Sequence, residues 1–372
     1  VVLLVMVGVV FMVGPAGLLA LLTPEWLNVK VWTVIILIYY FLATLLPVDK
    51  VIARFYPIFG IFLILMAVGV SIGTLANTGT RPLMELTLAN LYPSATQRPI
   101  WPLMFITVAC GAISGFHATQ SPIVSRTLKN EKEGRWVFYG AMVAEGIIAM
   151  VWASAAIAFF WNKDGTGTGL KALLDIGGGN SKSVYAICTG LLGKVGGAIA
   201  MIGVIACPIT SGDTAFRSAR MIIFDWFHLN EKKLNVRLSI AAPLLLIGYG
   251  ISFINYTVVW RYFSWSNQTL AMIVLWTGAA YLATNYPGKN RCWIAIIPAT
   301  FMSAVSITYL MYAPECFNLV RMGIKGIQIS YAVGIFFALV FLTLFIVRIY
   351  MNPARSLENQ KRIVIGRRPQ KA

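Results

Sequence analysis

The chain has 372 residues, 58% of them apolar and only 12% charged. A soluble domain is nearer half apolar and a quarter charged, so the composition excludes an ordinary water-soluble globule. The formal net charge of +17 would suggest a nucleic-acid partner in a soluble protein, but the Lys and Arg sit in short loops and the C-terminal tail. No basic stripe is interleaved with aromatics, so anionic lipid rather than nucleic acid is the expected partner of that charge.

The apolar residues come in blocks of the length that spans about 30 Å of hydrocarbon at about 1.5 Å per residue. Ten spans follow: 1–22, 31–46, 58–75, 101–119, 137–160, 184–209, 238–258, 264–282, 292–312 and 329–350. Backbone polar groups in lipid need internal partners, which forces helices rather than open strands. The expected fold class is therefore an all-α polytopic membrane protein of about ten transmembrane helices. No repeat of 20–50 residues and no long polar linker interrupts it, so 1–350 is read as one membrane domain and 351–372 as a basic cytoplasmic tail. The sequence opens Val-Val-Leu-Leu inside an apolar block, with no basic n-region or cleavage site, which reads as a chain lacking earlier sequence rather than as a signal peptide.

Orientation follows from the basic residues. With the tail in the cytoplasm, the loops near 47–57, 120–136, 210–237 and 283–291 share its side and together carry twenty Lys and Arg, Arg348 included, against nine on the opposite side. That bias places both chain ends inside. Trp26, Trp32, Tyr39, Tyr40, Trp101, Trp136, Trp161, Trp260 and Trp265 fall where spans meet water, as aromatic belts do. The five cysteines, at 110, 188, 207, 292 and 316, form no C-x-x-C pair and are expected as small buried apolar groups. The glycine-rich stretch from Asp164 and the run Gly177 to Asn180 lack the Lys-Ser/Thr and the preceding strand of a phosphate loop, and read as outer loop.

Four segments carry polar groups inside apolar blocks. The fourth span reads Ala109-Cys-Gly-Ala-Ile-Ser-Gly-Phe-His117-Ala-Thr-Gln-Ser-Pro122. Gly111 and Gly115 stand four apart, as in close helix packing; a broken helix whose freed amides and hydroxyls line a cavity is the other reading. His117 is one of two histidines, the other being His228 in a loop, and it can pack or titrate. Glu145 lies in the fifth span with no charge for several turns toward the outer side; it either makes a structural hydrogen bond or faces a cavity and carries a proton. In the sixth span Pro208 is expected to interrupt the helix by removing an amide donor. Thr210, Ser211, Asp213 and Thr214 then either cap a second helix or offer oxygens to an ion or solute. Finally, Asn267 and Gln268 open the eighth span, as interfacial groups or as donors to a carboxylate.

These residues carry a family likeness. Trp101-Pro-Leu-Met-Phe-Ile-Thr-Val-Ala-Cys-Gly-Ala-Ile-Ser-Gly-Phe-His117 resembles the hallmark segment of the carbon starvation protein A family. Glu145 after Tyr139-Gly-Ala-Met-Val-Ala, the Asp213-x-x-x-Arg217-x-x-Arg220 stretch and Ser266-Asn-Gln-Thr-Leu-Ala271 resemble further family patterns. The likeness runs from about residue 1 to 312, leaving 313–350 outside its clearest part, and the family's early His-His and Gly-x-Gly-Pro helices are not found in the sequence. The resemblance implies a bacterial cytoplasmic-membrane importer of pyruvate or peptides under carbon limitation, with inverted repeats and discontinuous helices. On it, Ser114, Gly115, Thr210, Ser211, Asn267 and Gln268 are substrate-binding candidates, and His117, Glu145 and Asp213 are candidates for proton or ion coupling. No cofactor or metal is expected. A channel would favour a pore ringed by like residues, whereas the polar sites here are few and scattered. A membrane enzyme would want a metal cluster or a nucleophile with its base, and no H-E-x-x-H occurs.

Overall fold

The computed structural model describes residues 1–45, 48–85, 87, 89, 90, 98–161, 179–230, 233–286 and 290–351. Among these residues all regular structure is helical. The helices are α1 (Val2–Leu22), α2 (Val29–Leu45), α3 (Val48–Ala76), α4 (Ile100–Ala112), α5 (Gly115–Ser125), α6 (Ala141–Phe160), α7 (Gly179–Phe227), α8 (Leu234–Ile251), α9 (Tyr256–Asn285), α10 (Trp293–Tyr312) and α11 (Ile324–Phe345). Seven helical segments among the described residues are long and apolar enough to cross a membrane, so the chain is a multi-pass, all-α membrane protein.

The differences from ten uniform spans have local causes. The second span is α2, apolar but 17 residues long, at the lower limit for crossing. The fourth divides into α4 and α5, of 13 and 11 residues. The seventh stops at Ile251, and Asn255 starts α9 by accepting the Thr257 amide at 2.9 Å. The eighth lies within the 30-residue α9, where Arg261, Ser264, Ser266, Asn267 and Gln268 dilute its apolar character.

The chain separates into two compact units, one of Val1–Arg98 with Gln120–Phe263, the other of Pro99–Thr119 with Ser264–Ala372. In the first, α1 packs most extensively on α7, and α3 also lies along α7. Helix α1 is apolar all round and enclosed: Val7, Met12 and Ala16 have no exposed surface. Tyr40 is enclosed with it. Its hydroxyl donates to the Phe11 carbonyl at 3.2 Å and its ring meets Phe216, so it belongs to the packed interior and not to an interfacial belt. A second cluster joins α3, α6 and α7 through Met66, Val70, Ala155, Phe159, Cys188 and Met201. Lipid is as apolar as these side chains, so close backbone approach rather than water exclusion holds such helices together. Gly203 shows the approach: a Cβ there would lie 2.8 Å from the Phe62 carbonyl oxygen.

In the second unit α10 packs on α11 and on α4. Polar ties cross it. The Trp276 indole donates to the Ser303 hydroxyl at 2.9 Å, the Trp265 indole to the Ser306 carbonyl at 3.2 Å, and the Tyr331 hydroxyl to the Trp101 carbonyl at 2.8 Å. Each places an aromatic N–H or O–H on an internal acceptor, as burial requires.

Candidate functional site: a closed helix break and a polar stripe

The fourth span is interrupted at Ile113 and Ser114, between α4 and α5. The first amides of α5 would lack intrahelical acceptors, and α9 supplies one. The Asn267 carboxamide oxygen accepts the Phe116 amide at 2.8 Å and the Ser114 hydroxyl at 3.2 Å. It is a helix cap provided by another helix, and a neutral acceptor suits the partial positive charge at that end. One turn of backbone makes the joint tight. A Cβ on Gly115 would stand 2.7 Å from the Leu270 Cβ and 3.0 Å from the Ala271 nitrogen. The adjacent Gln268 donates to the Ile106 carbonyl of α4 at 3.3 Å. Asn267 and Gln268 are both 0% exposed. These two amides therefore lie in the interior, where they bind the two halves of the broken span. Ser114, Gly115, Asn267 and Gln268, four of the six binding candidates, come together here, and His117 follows on the first turn of α5.

Pro208 does not break the sixth span. Helix α7 runs through it, and the one departure from helical geometry is at Gly193, with φ 69° and ψ −172°. That is a left-handed conformation that glycine adopts at little cost. The helix survives Pro208 because only one amide donor is missing, and in lipid the other backbone groups have no better partners than their helical ones. Thr210 donates its hydroxyl to the Cys207 carbonyl at 2.8 Å and Thr214 to the Thr210 carbonyl at 2.9 Å. Thr210, Ser211 and Asp213 therefore sit in mid-helix and cap nothing. Asp213 is 4% exposed and its carboxylate meets Arg217 Nη2 at 3.5 Å, one turn on. Next along the stripe, Ser218 donates to the Thr214 carbonyl at 2.8 Å and accepts from Gln120 Nε2 at 3.0 Å. Arg220 is buried as well. The Gln120–Ser218 tie was not among the sequence candidates; its signal is that Ser218 falls one turn after Thr214.

Glu145 is half-buried on α6. It shares a helical stripe with Ile148, Trp152, Ala155 and Phe159, the residues by which α6 joins α3 and α7. It thus points along the protein-facing side of its helix. Glu145 and the stripe from Thr210 to Arg220 belong to the first unit, the closed break and His117 to the second. A cavity of about 160 Å³ in the first unit, with Lys30, Thr33, Tyr249 and Ser252 among its lining residues, includes none of the sequence candidates. The stretch 162–178, with most of the glycine-rich loop, and the tail 352–372 lie outside the described residues.

The sequence model of carbon starvation protein CstA matches residues 1–163, a stretch that holds both the broken span and Glu145. A Haemophilus influenzae protein of uncharacterized function is 48% identical over 126 residues, 34% of this chain and 89% of that protein. The chain belongs to the carbon starvation protein CstA family. The Escherichia coli peptide transporter CstA is 24% identical over 339 residues, 73% of this chain and 48% of the relative. The Escherichia coli pyruvate/proton symporter BtsT is 29% identical over 184 residues, 46% of this chain and 25% of the relative. The chain thus spans about half the length of the one transporter and a quarter of the other. No solved structure gives a significant match.

Proposed function

We propose that the chain belongs to a secondary transporter of the bacterial cytoplasmic membrane that imports a small carboxylate such as pyruvate, or short peptides, with protons as the coupling ion. The observation that carries this reading is a membrane helix interrupted inside an apolar segment, with hydroxyl and carboxamide groups gathered at the break. Irregular backbone at membrane depth occurs where protein or a water-filled cavity surrounds it, and transporters use such breaks at their central sites. Relatives named as a peptide transporter and a pyruvate/proton symporter support the substrate class. Uptake of labelled pyruvate and dialanine into proteoliposomes, with protein made from the whole reading frame, tests it. Accumulation against a gradient is expected, whereas equilibration without accumulation would mean a channel.

Glu145 is the proton carrier in this reading. A charged carboxylate at membrane depth is costly unless it is paired or hydrated, so an acidic residue there is a functional candidate, and the stripe of Glu145 faces neighbouring helices. Glu145→Gln should abolish accumulation driven by a proton gradient while leaving protein yield unchanged. Accumulation with unaltered pH dependence would make Glu145 structural. The basic-residue bias supports a cytoplasmic C-terminus; an exported reporter fused after Ala372 should then be inactive, and activity there would reverse the topology.

A further inference from the structure

Arg81 stands apart from every residue discussed so far. It follows the C-terminal end of α3, where the chain turns through Asn77, and its amide donates to the Asn77 carbonyl at 2.8 Å. Its guanidinium carbon lies 4.0 Å above the centroid of the Phe159 ring at the end of α6. Phe159 is itself 3% exposed and holds Phe160 edge-on. On the α7 side the space is cleared by Gly190. A Cβ there would be 2.7 Å from Phe159 Cζ and 3.6 Å from Arg81 Nη1. The cation is therefore wedged between a ring and a bare stretch of backbone, all within the first unit.

Its Nη1 nitrogen is buried and has no hydrogen-bond partner among the described residues. The ring satisfies the face of the guanidinium but not its N–H groups, which lie in its plane. A buried charged donor without an acceptor is costly, so such a group calls for a ligand. The guanidinium plane presents N–H pairs spaced for the two oxygens of a carboxylate, and stacking fixes that plane in advance. In the orientation proposed above, the ends of α3 and α6 both lie on the external side.

We propose that Arg81 is the external recognition point for the carboxylate of the imported solute, held ready by Phe159 and Gly190. The proposal rests on the importer reading, and it adds that pyruvate and the C-terminus of a peptide are selected by the one group they share. Phe159 is a positioning residue that acts through Arg81.

Binding is the decisive measurement because it does not require transport. Labelled pyruvate is titrated onto the purified protein from the whole reading frame in detergent, for wild type, Arg81→Gln, Arg81→Lys and Phe159→Leu, each checked for monodispersity. Arg81→Gln should raise Kd about tenfold or more, the loss expected for a charge-assisted pair. Arg81→Lys keeps the charge without the fork and should fall between. Phe159→Leu should weaken binding by less than Arg81→Gln. Pyruvamide, which lacks the carboxylate, should bind wild type no better than pyruvate binds Arg81→Gln. A Kd within twofold of wild type in Arg81→Gln overturns the proposal, as does the absence of saturable binding to wild type. Asp164 and Asp175, on the stretch between α6 and α7, provide the rival partners. If Asp164→Asn or Asp175→Asn lowers thermal stability and Arg81→Gln adds nothing further, the guanidinium serves the chain itself and the proposal fails. Binding without uptake would sink the importer reading alone; uptake with an unchanged Kd in Arg81→Gln would sink Arg81 alone.

Discussion

The two interrupted helices, α4–α5 and α7, are broken for opposite reasons. At Ser114 the break is made by tertiary contact. Asn267 accepts the Phe116 amide and the Ser114 hydroxyl, and the backbone of α9 lies so close that only glycine fits at 115. At Gly193 the break is local. The residue holds φ 69° and nothing stands within 4 Å of where its Cβ would be. One break needs a neighbour with a carboxamide and no side chain in the way; the other needs only a residue that tolerates a left-handed turn. The two joints therefore differ in how tightly their neighbours hold them.

That contrast can be broken most severely at Gly115. Gly115→Val puts branched atoms against α9 backbone that cannot move aside, and should cost at least ~3 kcal/mol or prevent folding. A melting temperature in detergent within a degree of wild type would mean that the joint is loose. Asn267→Leu keeps the volume and removes the acceptor, leaving the Phe116 amide without it. A loss of about 2 kcal/mol is expected. Ser114→Ala should cost about 1 kcal/mol alone and almost nothing in the Asn267→Leu background, because both groups end on one oxygen. Additive losses in that cycle would show that Asn267 does not join them. Gly193→Ala meets no atom, so only backbone strain remains; φ 69° with ψ −172° is held almost only by glycine, and a loss of about 1–3 kcal/mol is expected. A larger loss would place an unseen contact there and erase the contrast. Arg217→Gln, on the neighbouring stripe, tests a tie of another kind. The Asp213 side chain in that ion pair is only 5% exposed, so removing the cation 3.5 Å from it should cost about 1–3 kcal/mol of melting free energy.

Much of this was legible before folding. The segment around Ser114 announces a discontinuity because small and hydroxyl residues are packed into an apolar block. Close packing at Gly115 and a break both occur, but the freed amide and hydroxyl end on Asn267 rather than lining a cavity. Asn267 was visible as an amide opening a span but not as a cap, because the amide and hydroxyl it serves lie about 150 residues away and no local pattern records them. Pro208 misled for a physical reason. Proline removes one donor, yet in lipid the rest of the helix has no better place for its own polar groups, so the helix continues and the break falls at Gly193. Gly193 gave no sign of itself among the neighbouring glycines at 190, 196 and 197. Arg81 is one of the nine basic residues counted on the outer side and nothing in the sequence sets it apart, because the ring and the glycine beside it lie on two other helices.

The sequence by itself determined that this is a multi-pass α-helical membrane protein of the CstA family, because long apolar runs admit no other backbone in lipid and the family patterns are read residue by residue. It could not say which apolar helix faces what. The spans at Val2–Leu22 and Ile324–Tyr350 have the same mean hydropathy, 2.6, yet 61% of the first is buried in the protein and 17% of the second. In water such helices would both be driven inside. In a bilayer lipid and protein interior are equally apolar, so composition is blind to the choice. Only the tertiary fit of small residues, buried amides and close backbones decided it.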